Sequence, residues 1–160
     1  LLKEFIEVKE IYTMAKIIYA ENKDLFTVPQ GYWLAHCISS DFALGAGIAK
    51  QFVEHYNMRE KLKVFYDLED RENRCYIGSC LIVDNVFNLV TKERAYQKPT
   101  YQDLEAALND MHGHVIANRI DKIAMPKIGC GLDRLDWETV EDLIKGVFAD
   151  LDIEIMICTL

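Results

Sequence analysis

Apolar positions along this chain fall into two kinds of run. The first kind is short: AKIIYAE (15–21), YWLAHCI (32–38), CYIGSCLIV (75–83), VFNLV (86–90), KIAMP (122–126) and IEIMIC (153–158). Several are continuous rather than alternating, the pattern of strands covered on both faces. The second kind has helical spacing. Ile48, Ala49, Phe52, Val53 and Tyr56 recur in GIAKQFVEHY, and Leu104, Ala107, Leu108, Met111 and Val115 in TYQDLEAALNDMHGHVIAN. Val140, Leu143, Ile144, Val147 and Phe148 do so in DWETVEDLIKGVFAD. Thr100 and Asp136 stand where N-caps belong. Strands alternating with helices predict an α/β domain with helices on both sheet faces, and in such domains ligands bind beyond strand ends.

Composition adds limits. The 160 residues suit one domain, expected over 15–160 after a leading segment over 1–14, a remnant of expression or a frayed start. The net charge of -8 argues against a broad basic face for nucleic-acid backbone. It leaves open an anion held by backbone N–H groups, which need no lysine. Five cysteines without a CxxC pair read as reduced thiols, which suits a cytoplasmic setting. No apolar run reaches the roughly 20 residues of a membrane span, and a monomer is expected.

Two glycine loops carry the candidate chemistry. LGAGIAK, with Gly45 and Gly47, follows a strand and the polar stretch Ser39-Ser40-Asp41 and opens a helix. It is not a dinucleotide fingerprint, because GxGxxG would need glycine where Lys50 stands, and it is not a P-loop. Alone it reads equally well as a turn with helix entry. In MPKIGCGLDRLDW, Gly129, Gly131 and Asp133 lie between a strand end and the helix capped by Asp136. Two such loops suggest a clamp on both sides of an extended anion, with a pyrophosphate the obvious candidate.

LAHCISSDFALGAGIA together with MPKIGCGLDRLDW resembles the macrodomain family. More narrowly, the chain resembles terminal ADP-ribose protein glycohydrolases and their bacterial relatives. KDLF (23–26), LAHCIS (34–39), GAGIA (45–49), LVTKERAYQKPTY (89–101), MPKIGCGLDRL (125–135) and ICTL (157–160) carry the likeness, in order, from about Lys16 to Leu160. The resemblance implies a three-layer α/β/α fold with a mixed central sheet and ADP-ribose as ligand and product, with no cofactor or metal. Asp24 would bind the adenine amino group, and the residues from Cys158 to Leu160 would lie nearby. GAGIA and IGCGL would cradle the diphosphate and distal ribose. The implied binding set is Asp24, Leu25, His36, Ser39, Gly45, Ala46, Gly47, Ile48, Thr91, Pro126, Ile128, Gly129, Cys130, Gly131, Leu132, Thr159 and Leu160, with Lys92 and Asp133 as catalytic pair. Lys23 departs from the family, which usually has glycine there.

On residue type alone, Lys92 is one of many solvated lysines, His36 a satisfied core histidine and Cys130 a small filler in a tight loop. Asp133 would be a turn aspartate, except that Asp136 fills the capping role better. His112 and His114, two apart on a helix, do not share a face. Tyr96 and Tyr101 flank the Lys92 segment and could line the ribose or the substrate rim. A strand-end lysine facing an enclosed ribose could attack C1″, an aldehyde-level carbon, with Asp133 moving the proton. The leading expectation is an enzyme that removes ADP-ribose from acyl-linked glutamate or aspartate, and from O-acetyl-ADP-ribose. Its partner would be an ADP-ribosylated protein or, in the alternative of an antitoxin-like enzyme, ADP-ribosylated nucleic acid. A second alternative is a reader that binds ADP-ribose without turning it over, for which Lys92 and Asp133 would be superfluous.

Overall fold

Burial is most continuous along one central strand. In the computed structural model, which describes residues 14–66 and 76–160, strand β4 (Val86–Lys92) is buried at every position but Lys92. It is flanked by β2 (Trp33–Ser39) and β3 (Cys80–Val83). With β1 (Lys16–Ala20), β5 (Lys122–Met125) and β6 (Glu154–Cys158), the described strands make one sheet in the order β1-β6-β5-β2-β4-β3. All pairings are parallel except β3 with β4, so the sheet is mixed. Residues 1–13 of the leading segment lie outside the described residues, as does Cys75.

The pleat sends alternate side chains to two cores. Ala35, Phe87, Leu89, Ile123, Met125, Ile155 and Ile157 face α3 (Tyr101–Ala117) and α4 (Trp137–Phe148). Leu34, Ile38, Val86, Val90 and Ala124 face α1 (Gly47–Tyr56) and α2 (Met58–Phe65). This is the three-layer arrangement expected. The α3 stripe is buried as the spacing predicts, from Leu104 to Val115. Both predicted caps form: Thr100 Oγ1 accepts the Asp103 N–H at 3.1 Å, and Asp136 Oδ2 accepts the Thr139 N–H at 3.1 Å.

Two local differences from the sequence expectation have physical causes. The third strand starts at Cys80, because the residues before it turn. Ser79 N–H reaches the Tyr76 carbonyl at 2.9 Å, and Gly78 adopts φ +83°, a left-handed conformation closed to most residues. Helix α2 was not expected. It follows α1 at once through Asn57, itself left-handed at φ 55°, and buries only Met58 and Leu62, too few positions to show a period.

Strand ends then set the site. β2 and β4 run in register from Leu34 opposite Val86 to Ile38 opposite Val90, where the pairing slips and Ser39 comes opposite Lys92. The extra residue is Thr91, buried in the sheet. A bulge of this kind re-aims the residues after it, and here it brings Lys92 to the strand end beside Ser39.

Candidate functional site

The carboxyl ends of β2, β4 and β5 open on one cavity of about 500 Å³. Its walls are the end of β2 (Cys37, Ile38, Ser39), the first glycine loop and start of α1 (Leu44–Ala49), Lys92 with Ala95–Gln97, and the second glycine loop (Pro126–Gly129, Gly131–Asp133). Cavities beyond parallel strand ends are the usual ligand sites of such sheets.

The first loop is shaped by side chains from outside it. Asp41 Oδ1 accepts the Ser39 hydroxyl at 2.6 Å and the Ala43 N–H at 3.1 Å. Arg59 of α2 donates to the carbonyls of Ala43 at 2.8 Å and Leu44 at 3.1 Å. Burial pushes the Asp41 carboxyl up, but the hydrogen bonds from Ser39, Ala43 and Ala95 and the charge of Arg94 outweigh it, so the group lies below its usual value. Buried Phe42 and Leu44 both take positive φ, 51° and 42°. The loop delivers α1 with Ala46 as N-cap and no side chain capping it. The first N–H groups of a helix have no partner within it. Those of Gly47, Ile48 and Ala49 therefore belong to a cavity-lining helix start, where the dipole favours an anion.

The second loop holds itself. Leu135 N–H reaches the Gly129 carbonyl at 2.8 Å, and Arg134 N–H the Gly131 carbonyl at 3.2 Å. Gly129 has φ +73°, a conformation that favours glycine, and a Cβ there would sit 2.9 Å from Leu135 Cδ1, so that side chain would also have to shift. Leu132 reaches across to the first loop, its Cδ1 lying 3.4 Å from where a Gly47 Cβ would stand.

Lys92 and Asp133, 41 residues apart in sequence, meet in the cavity wall. Lys92 Nζ lies 2.5 Å from Asp133 Oδ1 and 2.9 Å from the Ala95 carbonyl. Their side chains are only 12% and 18% exposed, so the ion pair is sheltered from bulk solvent. A lysine beside a carboxylate, at the lip of an enclosed space, has a group at hand to exchange its proton. The two cysteines of this region are unsuited to attack. Burial, and then the charge of Asp133, pushes the Cys37 thiol well up, and burial, then Asp136, raises Cys130 to about 11. Cys130 donates its S–H to the Ile128 carbonyl at 3.3 Å.

The cavity brings together Ser39, Gly45, Ala46, Gly47, Ile48, Lys92, Pro126, Ile128, Gly129, Gly131, Leu132 and Asp133 from the sequence-derived set. Its lining does not include His36, Thr91 or Cys130. His36 is fully buried beneath α1, stacked on Phe52 at 3.8 Å with Nε2 2.6 Å from Asn88 Oδ1. Burial lowers its pKa to about 4, the Asn88 bond opposing, so it is a neutral core histidine. Asp24, Leu25, Thr159 and Leu160 gather at the ends of β1 and β6, on the same edge of the sheet. Asp24 caps a short 3₁₀ turn (Leu25–Thr27) by accepting the Phe26 N–H at 3.0 Å, and Lys23 N–H bonds the Thr159 carbonyl at 2.9 Å. Leu25 is buried, whereas Leu160 is 90% exposed. Sequence reasoning passed over Cys37, Ile38, Leu44, Ala95, Gln97 and Lys127 as lining residues. Lys127 is the one with a signal, standing between two residues already singled out.

Comparison with known proteins agrees with this architecture. The family described as Macro domain matches residues 35–144. ADP-ribose glycohydrolase OARD1 of Homo sapiens is 39% identical over 148 residues, 91% of this chain and 93% of that protein. A DNA ADP-ribosyl glycohydrolase of Mycobacterium tuberculosis is 28% identical over 135 residues, 78% of this chain but 37% of its own length. Among solved structures, the macrodomain of Thermus aquaticus DarG superposes with a TM-score of 0.76 at 21% identity, covering 90% of this chain and 98% of that one.

Proposed function

The chain belongs to the macro domain family, and on that premise we propose that it is a hydrolase that frees mono-ADP-ribose from acyl-linked glutamate or aspartate side chains and from O-acetyl-ADP-ribose. The observation that carries this reading is the Lys92–Asp133 pair, 2.5 Å apart in a cavity wall between two glycine loops. In support, OARD1 of Homo sapiens, at 39% identity, is named an ADP-ribose glycohydrolase.

In this reading the diphosphate rests on the N–H groups at the start of α1 and along the second loop. The adenine extends toward Asp24 and the Thr159-Leu160 end. The distal ribose then lies at Lys92. Asp133 takes a proton from the Lys92 ammonium. The freed amine attacks C1″, and the N–C1″ bond forms as the C1″–O bond to the acyl group breaks, its electron pair leaving with the carboxylate. Water then cleaves the lysine adduct, giving ADP-ribose and restoring the amine. A carboxylate is stable as it departs, so the leaving group needs no proton.

A second reading changes only the group removed. The 28% likeness to a DNA ADP-ribosyl glycohydrolase supports a nucleic-acid-linked ADP-ribose as substrate, while the net charge of -8 weighs against an extended nucleic-acid face.

The test is release of ADP-ribose from a glutamate-linked ADP-ribosylated protein by wild type, Lys92→Ala and Asp133→Ala, with calorimetric titration of free ADP-ribose into each. The expected outcome is release by wild type only, a loss of at least about 100-fold in the variants, and similar ADP-ribose affinity in all three. Binding without release by wild type would remove the acyl-linked reading and make an ADP-ribosylated oligonucleotide the next substrate. A further failure there would leave a reader.

A further inference from the structure

Asp41 does not itself line the cavity, yet its carboxylate joins the first glycine loop to the loop that holds the lysine. The two oxygens divide the work. Oδ1 accepts the Ser39 hydroxyl at 2.6 Å and the Ala43 N–H at 3.1 Å, while Oδ2 accepts the Ala95 N–H at 3.3 Å. Ala95 is the residue whose carbonyl receives the Lys92 ammonium at 2.9 Å. One residue is thus gripped by Asp41 through its N–H and grips Lys92 through its C=O. The backbone runs parallel to this link: Ser40 N–H bonds the Lys92 carbonyl at 2.8 Å, and Asp41 N–H the Glu93 carbonyl at 3.2 Å.

We propose that Asp41 is a positioning residue for Lys92, fixing the Ala95 carbonyl that, with Asp133, aims the amine. The idea rests on the proposed hydrolase reading for its effect on turnover, but not for its effect on the lysine itself. A long flexible ammonium held by two fixed oxygens has a defined direction, and a misplacement of about 1 Å at a reacting group costs up to about 100-fold in rate. Releasing one of the two oxygens therefore lowers turnover while leaving the diphosphate cradle in place.

Asp41→Asn tests this with one atom. The amide oxygen takes the place of Oδ1 and keeps both the Ser39 and Ala43 donors, holding the first loop. The amide nitrogen then meets the Ala95 N–H donor to donor, and that contact is lost. Three quantities are read on wild type and Asp41→Asn. The first is the rate at which a limiting amine-acetylating reagent labels Lys92, followed by peptide mass spectrometry. The second is the affinity for free ADP-ribose, and the third is kcat for release. Lys92 labelling is expected to rise about fivefold and kcat to fall about tenfold, with the ADP-ribose Kd changing by less than about threefold. Unchanged Lys92 labelling overturns the proposal whether or not the protein is a hydrolase. So does a loss of ADP-ribose affinity as large as the loss of kcat, which would make Asp41 a brace of the binding loop alone. If wild type releases nothing, the hydrolase reading fails, and the labelling ratio still decides the role of Asp41.

Discussion

The two glycine loops meet over one cavity but are held by opposite means. The first is braced from outside, by Asp41 and by Arg59 of the next helix, and it presents uncapped N–H groups. The second is braced from within, by its own backbone bonds and by Leu135 packed against Gly129, and it presents a charged side chain, Asp133. An anion cradle needs only backbone in the right place, so its supports can be remote. A proton-transfer group must be fixed to within a fraction of an ångström, and a loop closed on itself does that over the shortest chain.

Three perturbations should separate the loops. The largest acts under the first. The His36 pKa near 4 lies below the usual value of 6.5, so above about pH 6.5 both folded and unfolded states are neutral there. As pH falls from about 6.5 towards 4, the unfolded chain binds a proton that the folded one refuses. Stability is therefore lost with falling pH, by roughly 3 kcal/mol in all. Urea unfolding at pH 7 and pH 4.5 should show this loss in wild type, and His36→Leu should lack its share.

Gly129→Ala comes next, on the other side. Its positive φ and the 2.9 Å approach to Leu135 Cδ1 make a methyl group strained, costing about 1 to 2 kcal/mol. Thermal unfolding should register a fall of several degrees. Turnover should drop more than ADP-ribose affinity, because Asp133 rides on that loop. Arg59→Ala should give the smallest effect and the reverse pattern. Freeing the Ala43 and Leu44 carbonyls should weaken ADP-ribose binding about fivefold by calorimetry, about 1 kcal/mol, with kcat nearly unchanged. Equal effects of these two substitutions on binding and turnover would erase the distinction between the loops.

The same asymmetry explains what could be seen in the sequence. Helices α1, α3 and α4 announced themselves by period, and Thr100 and Asp136 by position. The second loop's glycines and Asp133 sit within five residues of one another, so its self-contained design left a dense local signal. The first loop's supports did not. Arg59 lies 16 residues from Ala43 on a helix with two buried positions, and Asp41 acts across 54 residues on Ala95. Side chains that bond backbone atoms elsewhere leave no spacing to read. The pairing of Lys92 with Asp133 came from family likeness rather than from any property of residue 92. The bulge that turns Lys92 toward Ser39 has no residue signature at all.

Lys92 closes the strand that is buried at every other position. Amides in such a strand exchange with solvent only in the rarest, most complete openings, whereas the loops around them open in small local ones. The amine is thus mounted on a buried strand, and Asp133 on a loop held by a few backbone bonds of its own, which can open without the sheet. Warming should part the two long before the sheet comes undone, so the protein should fall silent at temperatures where it is still folded.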